Sequence, residues 1–229
     1  MVIQVSEDCI IKPISNTYLG HEMSFTYPSK ALIASFTQTN IMTGYTITDN
    51  YKSVMFHSPS IYKLNIKKKI TFDVIIHIIY CLSLQLDYLI KNYNKCFIGY
   101  SDKNILVIDD NKFIYIPNEE DIYDITPNNN KMTITFPFNL SDFYQSPETL
   151  SIKTIPSNIH YKSVYFSLGC LIIDCFKNLD NNQDNNQDNN QTDNYEELLD
   201  TLIIQNSKLY YFLKRCLNKE PEKRTVLYI

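Results

Sequence analysis

Glycine is scarce in this chain of 229 residues, which has only Gly20, Gly44, Gly99 and Gly169. Loops that hold phosphate groups need closely spaced glycines, because only glycine lets the backbone approach the phosphate oxygens. No two of the four glycines lie close enough in sequence to form such a loop. The sequence therefore excludes a glycine-rich nucleotide-binding motif.

An excess of basic residues is also lacking, since 21 Lys and Arg stand against 25 Asp and Glu. Nucleic-acid-binding proteins normally carry a basic surface, so we expect no nucleic-acid partner. The longest uncharged apolar run, 74–86, is shorter than the about 20 residues that span a bilayer. We therefore expect no membrane partner, and the N-terminus shows no signal peptide pattern.

The six cysteines form no Cys-x-x-Cys pair and have no ligand-like spacing with the four histidines. Most lie in apolar runs, where cysteine behaves as a small buried hydrophobe. We therefore expect a reduced, intracellular protein, cytoplasmic in location, without disulfides or a metal site. The Asn-, Ile-, Lys- and Tyr-heavy composition indicates an AT-rich genome, such as that of a large DNA virus or a protist. For a viral protein, the location would be the host cytoplasm.

The first 66 residues consist of short β-prone runs separated by turns, which predict a small β-rich N-terminal lobe. The runs are "MVIQV", "CIIKPI", "ALIASF", "GYTIT" and "KSVMF". After the lysine cluster 67–69, apolar residues recur at steps of three and four from Val74 to Ile90. This spacing predicts a long helix, with Thr71 as its N-cap.

The segment 67–229 is predicted to be mainly helical. The runs "NILVI" and "KFIYI", joined by an Asp/Asn-rich connection, predict a hairpin. Residues 117–147 are polar and predict a long surface segment with one strand at "KMTITF". A buried helix is predicted at "SVYFSLGCLIIDCF", and two more near the C-terminus. The Asp-Asn-Asn-Gln repeat at 180–194 predicts a disordered loop. Strands followed by helices indicate an α+β protein.

Four stretches of the second half resemble the protein-kinase family and occur in that family's order. The stretch "YSDKNILVIDDNKFIYI" resembles the catalytic loop and its hairpin, and "DFYQSPETL" the Ala-Pro-Glu element. "YKSVYFSLGCLIIDCF" is similar to the central helix that begins Lys-Ser-Asp-Val-Trp-Ser-x-Gly, and "LKRCLNKEPEKRT" to the segment near the last helix. The resemblance covers about residues 70–229 and implies a two-lobe, kinase-like fold with a reduced N-terminal lobe.

The resemblance also implies one structural contact. In the family, the glutamate of Ala-Pro-Glu pairs with the arginine before the final helix. Carried over to this chain, these residues are Glu148 and Arg224, which we expect to form a buried ion pair. Such a pair is structural and is compatible with either presence or absence of catalysis.

The catalytic residues that the resemblance implies are missing. A kinase carries its catalytic aspartate five residues before the metal-binding asparagine. That asparagine is Asn104, so the aspartate is replaced by Gly99, which can neither orient a hydroxyl nor accept its proton. The Asp-Phe-Gly aspartate falls on Pro117, which offers no carboxylate to magnesium. The aspartate of the central helix, which braces the catalytic loop, aligns with Val164.

Several other residues could replace parts of the lost machinery. Asp102 is a weak substitute for the base, and the acids at 119–121 lie just beyond the missing metal ligand. Lys12, with Glu22 nearby, is a candidate for the nucleotide-binding lysine. We interpret Asp102 as a solvated turn residue and Asn104 as a vestigial residue that bonds the loop backbone.

The sequence therefore predicts a degenerate serine/threonine protein kinase homologue, a pseudokinase that binds or scaffolds a protein partner and needs no cofactor. One alternative is a divergent active serine/threonine kinase, which would use ATP and magnesium. A further alternative is an unrelated α+β interaction domain. Whether the chain is an enzyme is left open, with the missing residues favouring an inactive protein.

Overall fold

The computed structural model describes residues 2–14, 19–48, 50–66, 70–180 and 194–226. These residues form twelve strands, six α-helices and three antiparallel sheets, so the protein belongs to the α+β class. The Asp-Asn-Asn-Gln tract at 180–194 was predicted to be a disordered loop. Residues 181–193 of this tract lie outside the described residues.

The strands are β1 Ile3–Ser6, β2 Cys9–Pro13, β3 Gly20–Phe25, β4 Thr46–Ile47, β5 Ser53–His57, β6 Ile61–Lys63, β7 Lys95–Phe97, β8 Ile105–Ile108, β9 Lys112–Tyr115, β10 Ile122–Thr126, β11 Lys131–Ile134 and β12 Ser157–His160. The helices are α1 Lys30–Thr37, α2 Phe72–Tyr93, α3 Pro147–Leu150, α4 Ser163–Asp180, α5 Tyr195–Thr201 and α6 Lys208–Cys216. Short 3-10 turns lie at Asp102–Asn104, Glu119–Asp121, Leu140–Asp142 and Pro221–Lys223.

The first sheet has the strand order β1-β2-β3-β5-β4 and comes from the predicted β-rich region. Its strands alternate between buried and exposed side chains, as expected for a sheet with one face on a core. The buried apolar members are Ile3, Val5, Cys9, Ile11, Met23, Phe25, Val54 and Phe56.

Helix α1 corrects one prediction, because "ALIASF" is helical and was predicted to be a strand. Its branched and aromatic residues favour a strand by composition. However, Leu32, Ile33 and Phe36 have helical spacing, and all three are buried. The helix packs against α2, so tertiary packing overrides the local preference.

Helix α2 begins and ends as its sequence predicts. The Thr71 hydroxyl accepts a hydrogen bond from the Val74 amide at 3.4 Å, and Asn94 ends the helix with a left-handed backbone. By length and composition, α2 alone among the described helices could cross a membrane. Half of its most apolar window is buried inside the protein, where it packs against β9, α1 and α4.

The second sheet, in the order β6-β8-β9, contains the predicted hairpin. Asp109 and Asp110 connect its strands with positive φ angles of 54° and 61°. Two such angles match the twist that a tight hairpin requires. Strand β6 comes from the first 66 residues and pairs with β8, so this sheet joins the two sequence regions.

The third sheet, in the order β12-β11-β10-β7, corrects the prediction for residues 117–147. That segment was predicted to lie on the surface with one strand. It contributes β10 as well as β11, and Tyr123 and Ile125 of β10 are buried. Strand β12 was not predicted, because its four residues "SNIH" carry little strand signal.

Helix α4 lies at the centre of the helical part and is buried on nearly every face, as predicted. Gly169 lets it approach α6, because a β-carbon at this position would lie 3.1 Å from Cys216 Cβ. Real β-carbons rarely come this close to another atom, so a larger residue would push α4 and α6 apart.

Candidate functional site

The resemblance would place a catalytic aspartate at Gly99, where the structure leaves little room for a side chain. A β-carbon on Gly99 would lie 3.0 Å from Ser167 Oγ and 3.2 Å from the Tyr144 carbonyl oxygen. It would also lie 3.3 Å from Phe143 Cβ. All three distances are shorter than ordinary van der Waals contact. The position thus lacks a carboxylate, and a side chain there would have to displace its neighbours by a few tenths of an ångström.

The loop around Gly99 is held in place by three buried hydrogen bonds. The Tyr100 amide donates to Ser167 Oγ of α4 at 2.7 Å. The Tyr115 hydroxyl donates to the Gly99 carbonyl oxygen at 2.9 Å, and the Tyr100 hydroxyl to the Leu82 carbonyl oxygen of α2 at 3.1 Å. Both tyrosines are fully buried. Elements α2, α4 and β9 therefore fix the loop.

Ser167 supplies a brace that the sequence led us to consider lost. Val164 replaces the family's bracing aspartate and is itself completely buried in the core. We expected from this that the loop was no longer held. Ser167 lies one turn later on α4, where its hydroxyl accepts from the loop backbone. Ser167 occupies the serine position of the family's Trp-Ser-x-Gly pattern, so the sequence itself offered a sign of this contact.

A compact aromatic and amide cluster lies beneath the loop. The rings of Phe97, Tyr100 and Tyr115 lie 4.7 to 4.9 Å apart, centre to centre. Gln85 of α2 pairs with the Tyr115 backbone, accepting from its amide at 2.9 Å and donating to its carbonyl oxygen at 2.8 Å. Because every polar group in these contacts has a partner, the cluster is suited to fix one conformation.

Asn104 and Asp102 occupy the 3-10 turn that follows the loop. The Asn104 carbonyl oxygen accepts from the Ile116 amide at 2.9 Å, which ties the turn to the end of the hairpin. Both side chains are partly exposed, and neighbouring Lys103 is exposed and lies 3.7 Å from Asp142. This placement fits the interpretation of Asp102 as a solvated turn residue, whereas the contact of Asn104 with the hairpin is made by its main-chain carbonyl and leaves the predicted role of its side chain a prediction.

Pro117 is buried, and the acids after it are arranged poorly for a metal. Glu119 and Glu120 are exposed, whereas Asp121 is 5% exposed and accepts from the Asn118 amide group at 3.1 Å. Burial raises the pKa of Asp121 to about 6, and the nearby charge of Glu120 adds to the effect. The charged form that magnesium requires is therefore less favourable than in an exposed aspartate. Among the described residues, no group of three or more His, Cys, Asp or Glu could hold a metal ion.

The turn between β1 and β2 docks on this same segment. The Glu7 amide donates to Asn118 Oδ1 at 3.0 Å, and the Glu119 amide donates to Asp8 Oδ2 at 3.0 Å. Ser29 adds a longer bond of 3.4 Å to Glu119 Oε2. The turn carries two acidic residues, Glu7 and Asp8, so this contact brings further negative charge next to the acids at 119–121.

Lys63 fastens strand β1 next to this turn. Its ammonium group donates to the carbonyl oxygens of Gln4 at 3.1 Å and Val5 at 3.2 Å. Strand β1 is an edge strand of the first sheet, and these contacts give its backbone partners outside the sheet. The first hairpin is thus attached to the rest of the molecule at its turn and along its edge.

Lys12 is not placed as a nucleotide-binding lysine would be. It lies directly opposite Glu22 in the pairing of β2 with β3, but Lys12 is exposed and no ion pair joins these two described side chains. A kinase pairs its strand lysine with a glutamate on the following helix. Helix α1, with the sequence "KALIASFT", contains no acidic residue.

Glu148 and Arg224 form the ion pair that the resemblance predicts. Arg224 donates from Nη1 and Nη2 to both Glu148 oxygens, at 2.9 and 2.7 Å. Arg224 is completely buried, and its Nε donates to the Asn218 carbonyl oxygen at 2.7 Å. The Phe166 ring lies 5.1 Å from the guanidinium carbon. Ser146 starts α3 with a reciprocal capping box, which orients Glu148 toward the arginine.

A comparison of the chain with protein-family models gives no match, and a comparison with curated proteins gives no significant match.

Proposed function

We propose that this chain is a catalytically inactive, protein-kinase-like protein that binds or scaffolds a protein partner in the cytoplasm. It would have a reduced β-rich lobe at 1–66 and a helical lobe at 67–229. The observation that carries the proposal is the tightly packed loop at Gly99, which has no catalytic side chain and where Ser167 and Tyr144 would crowd one.

The kinase-like part of the proposal is supported by contacts between separated motifs. The Ser-Pro-Glu stretch and the C-terminal "EPEKRT" stretch meet through Glu148 and Arg224. The loop before Asn104 contacts the central helix through Ser167, as a brace from that helix would require. A five-stranded sheet and a short helix precede these elements, in agreement with a small β-rich lobe.

The proposal that the chain is inactive is supported by the surroundings of Asn104 and Pro117, the two positions where the resemblance implies metal ligands. Pro117 offers no ligand, and the following segment is bonded to the acidic turn at Glu7 and Asp8. Catalytic groups tolerate misplacement of only about an ångström. An active kinase would therefore need Asp102 and an acid from 119–121 to move together, against these hydrogen bonds.

Nucleotide binding provides the decisive experiment. A ligand at one hundred times its dissociation constant stabilises a protein by about 2.7 kcal/mol, which a thermal melt detects readily. We expect no change of melting temperature with millimolar ATP and magnesium, and no transfer of labelled phosphate to a generic protein substrate. Transfer of labelled phosphate, together with a magnesium-dependent shift that the Asn104→Ala variant abolishes, would contradict the proposal and favour a divergent active kinase. The Asn92→Ala variant, which alters an exposed asparagine on α2, is the matched control.

A further inference from the structure

The outer face of α2 carries a stripe of apolar side chains that the core does not fully cover. Ile76, Tyr80, Leu84 and Tyr88 follow one another at intervals of four residues, so they lie along one side of the helix. Tyr80 is 53% exposed, and the other three are partly exposed. The opposite face of the helix is buried, with Ile75, Ile78, Leu82 and Leu86 in the core.

Charged and titratable residues flank this stripe at both ends of the helix. Asp73 and His77 lie near the start and are exposed. Asp87 and Lys91 lie near the end and form an exposed i,i+4 ion pair of 2.8 Å. With Tyr80 and Leu84 these residues form one series with alternating steps of four and three residues: Asp73, His77, Tyr80, Leu84, Asp87 and Lys91. That alternation is the repeat by which two helices form a shared seam.

The stripe is complementary to itself when a second α2 runs antiparallel to the first. A two-fold axis level with Leu82 places residues at equal distances before and after it opposite each other. Asp73 then faces Lys91, and His77 faces Asp87. The apolar residues at the centre also match, because Tyr80 faces Leu84. The oppositely charged Asp73 and Lys91 at the ends and the apolar Tyr80 and Leu84 at the centre meet in a single register.

We propose that α2 is a homodimer interface, in which two copies of this chain pack these faces antiparallel about a two-fold axis. The antiparallel direction also brings the positive end of each helix dipole beside the negative end of the other. The charge pattern distinguishes this occupant from a lipid surface, because a bilayer would have to accept Asp73, Asp87 and Lys91. A single helix face makes a small interface, so we expect a dissociation constant on the order of 10 to 100 µM.

Sedimentation velocity of the purified chain from 5 to 500 µM tests the proposal. We expect a concentration-dependent monomer–dimer equilibrium. Tyr80→Glu places a charge at the centre of the seam and should raise the dissociation constant roughly tenfold or more. Tyr211→Glu is the matched control, because Tyr211 is a similarly exposed tyrosine on α6, 48% against 53%. The control should leave the dissociation constant unchanged.

Charge reversal tests the register itself. Asp73→Lys and Lys91→Asp each place like charges opposite one another and should weaken self-association. An equimolar mixture of the two variants restores both attractive pairs across a heterodimer, so the mixture should associate more tightly than either variant alone.

The proposal fails if the wild-type chain stays monomeric up to 500 µM. It also fails if Tyr80→Glu and Tyr211→Glu act equally, or if the mixture of charge variants associates no better than its components. Circular dichroism of each variant shows whether it is folded, so loss of the dimer is separated from loss of the fold. Nucleotide binding plays no part in these outcomes, so they are independent of the proposed function.

Discussion

Removal of Glu148 should destabilise the protein far more than removal of a similar ion pair on its surface. Arg224 is completely buried, and Glu148 supplies two of its hydrogen bonds. Without the carboxylate, a buried guanidinium loses its counter-charge, which typically costs 3–5 kcal/mol. We expect a Glu148→Ala variant to lose about 3 kcal/mol of its free energy of unfolding.

The lower end of that range applies because Arg224 keeps other partners. The carbonyl oxygens of Asn218, Lys162 and Lys219 accept from it at 2.7, 3.2 and 3.4 Å. Arg224→Ala should cost more, about 4–5 kcal/mol, since it also leaves a cavity where a large side chain was. Replacing both residues with apolar ones of similar size, Glu148→Leu with Arg224→Met, should recover much of the loss.

Chemical denaturation at pH 7, followed by circular dichroism, measures these differences. The matched control is Glu220→Ala, because Glu220 pairs with Lys223 at the same 2.7 Å while both side chains are about 60% exposed. An exposed pair contributes 0–1 kcal/mol, so this variant should be close to wild type. Equal losses for Glu148→Ala and Glu220→Ala would refute the argument that burial gives the inner pair its importance.

Two further predictions concern the loop and the segment after it. Because burial raises the pKa of Asp121 from 3.8 to about 6, the folded state holds this proton more tightly than the unfolded state. Its contribution to the free energy of unfolding should fall by up to about 3 kcal/mol as the pH rises from 4 to above 6. Asp121→Asn should remove that slope in denaturation curves across this range, and parallel curves for both proteins would contradict the assignment. Gly99→Asp should not create kinase activity and should lose about 3 kcal/mol or more through overpacking and a buried charge, with Gly99→Ala losing less, about 1–2 kcal/mol. A Gly99→Asp protein as stable as wild type would show that the loop has space for the side chain.

Local signals in the sequence predicted much of the fold. The three- and four-residue spacing of α2 and the Thr71 cap appear as expected, and so does the hairpin at Asp109 and Asp110. The same kind of signal was misjudged for α1, where branched residues outweighed a helical spacing over only eight residues. Strand β12 could not be predicted, since it exists only through pairing with β11.

The candidate site was predictable only in part, because its key contacts join distant residues. Gly99 and Pro117 could be read from the sequence as missing chemical groups. The sequence does not reveal that Ser167 and Tyr144 fill the space at Gly99, or that Glu7 bonds to Asn118 more than one hundred residues away. Such contacts depend on how complete elements pack, and neither residue type nor local periodicity encodes that.

The brace at Ser167 has a consequence for how the loop responds to its surroundings. A bracing aspartate holds a backbone amide by its charge, and that hold weakens when the carboxylate is protonated. A serine hydroxyl carries no charge at any pH, and this one is completely buried beside Tyr100. The loop should therefore keep the same conformation in acid and in high salt, as a fixed part of the scaffold that no titration at this contact can release.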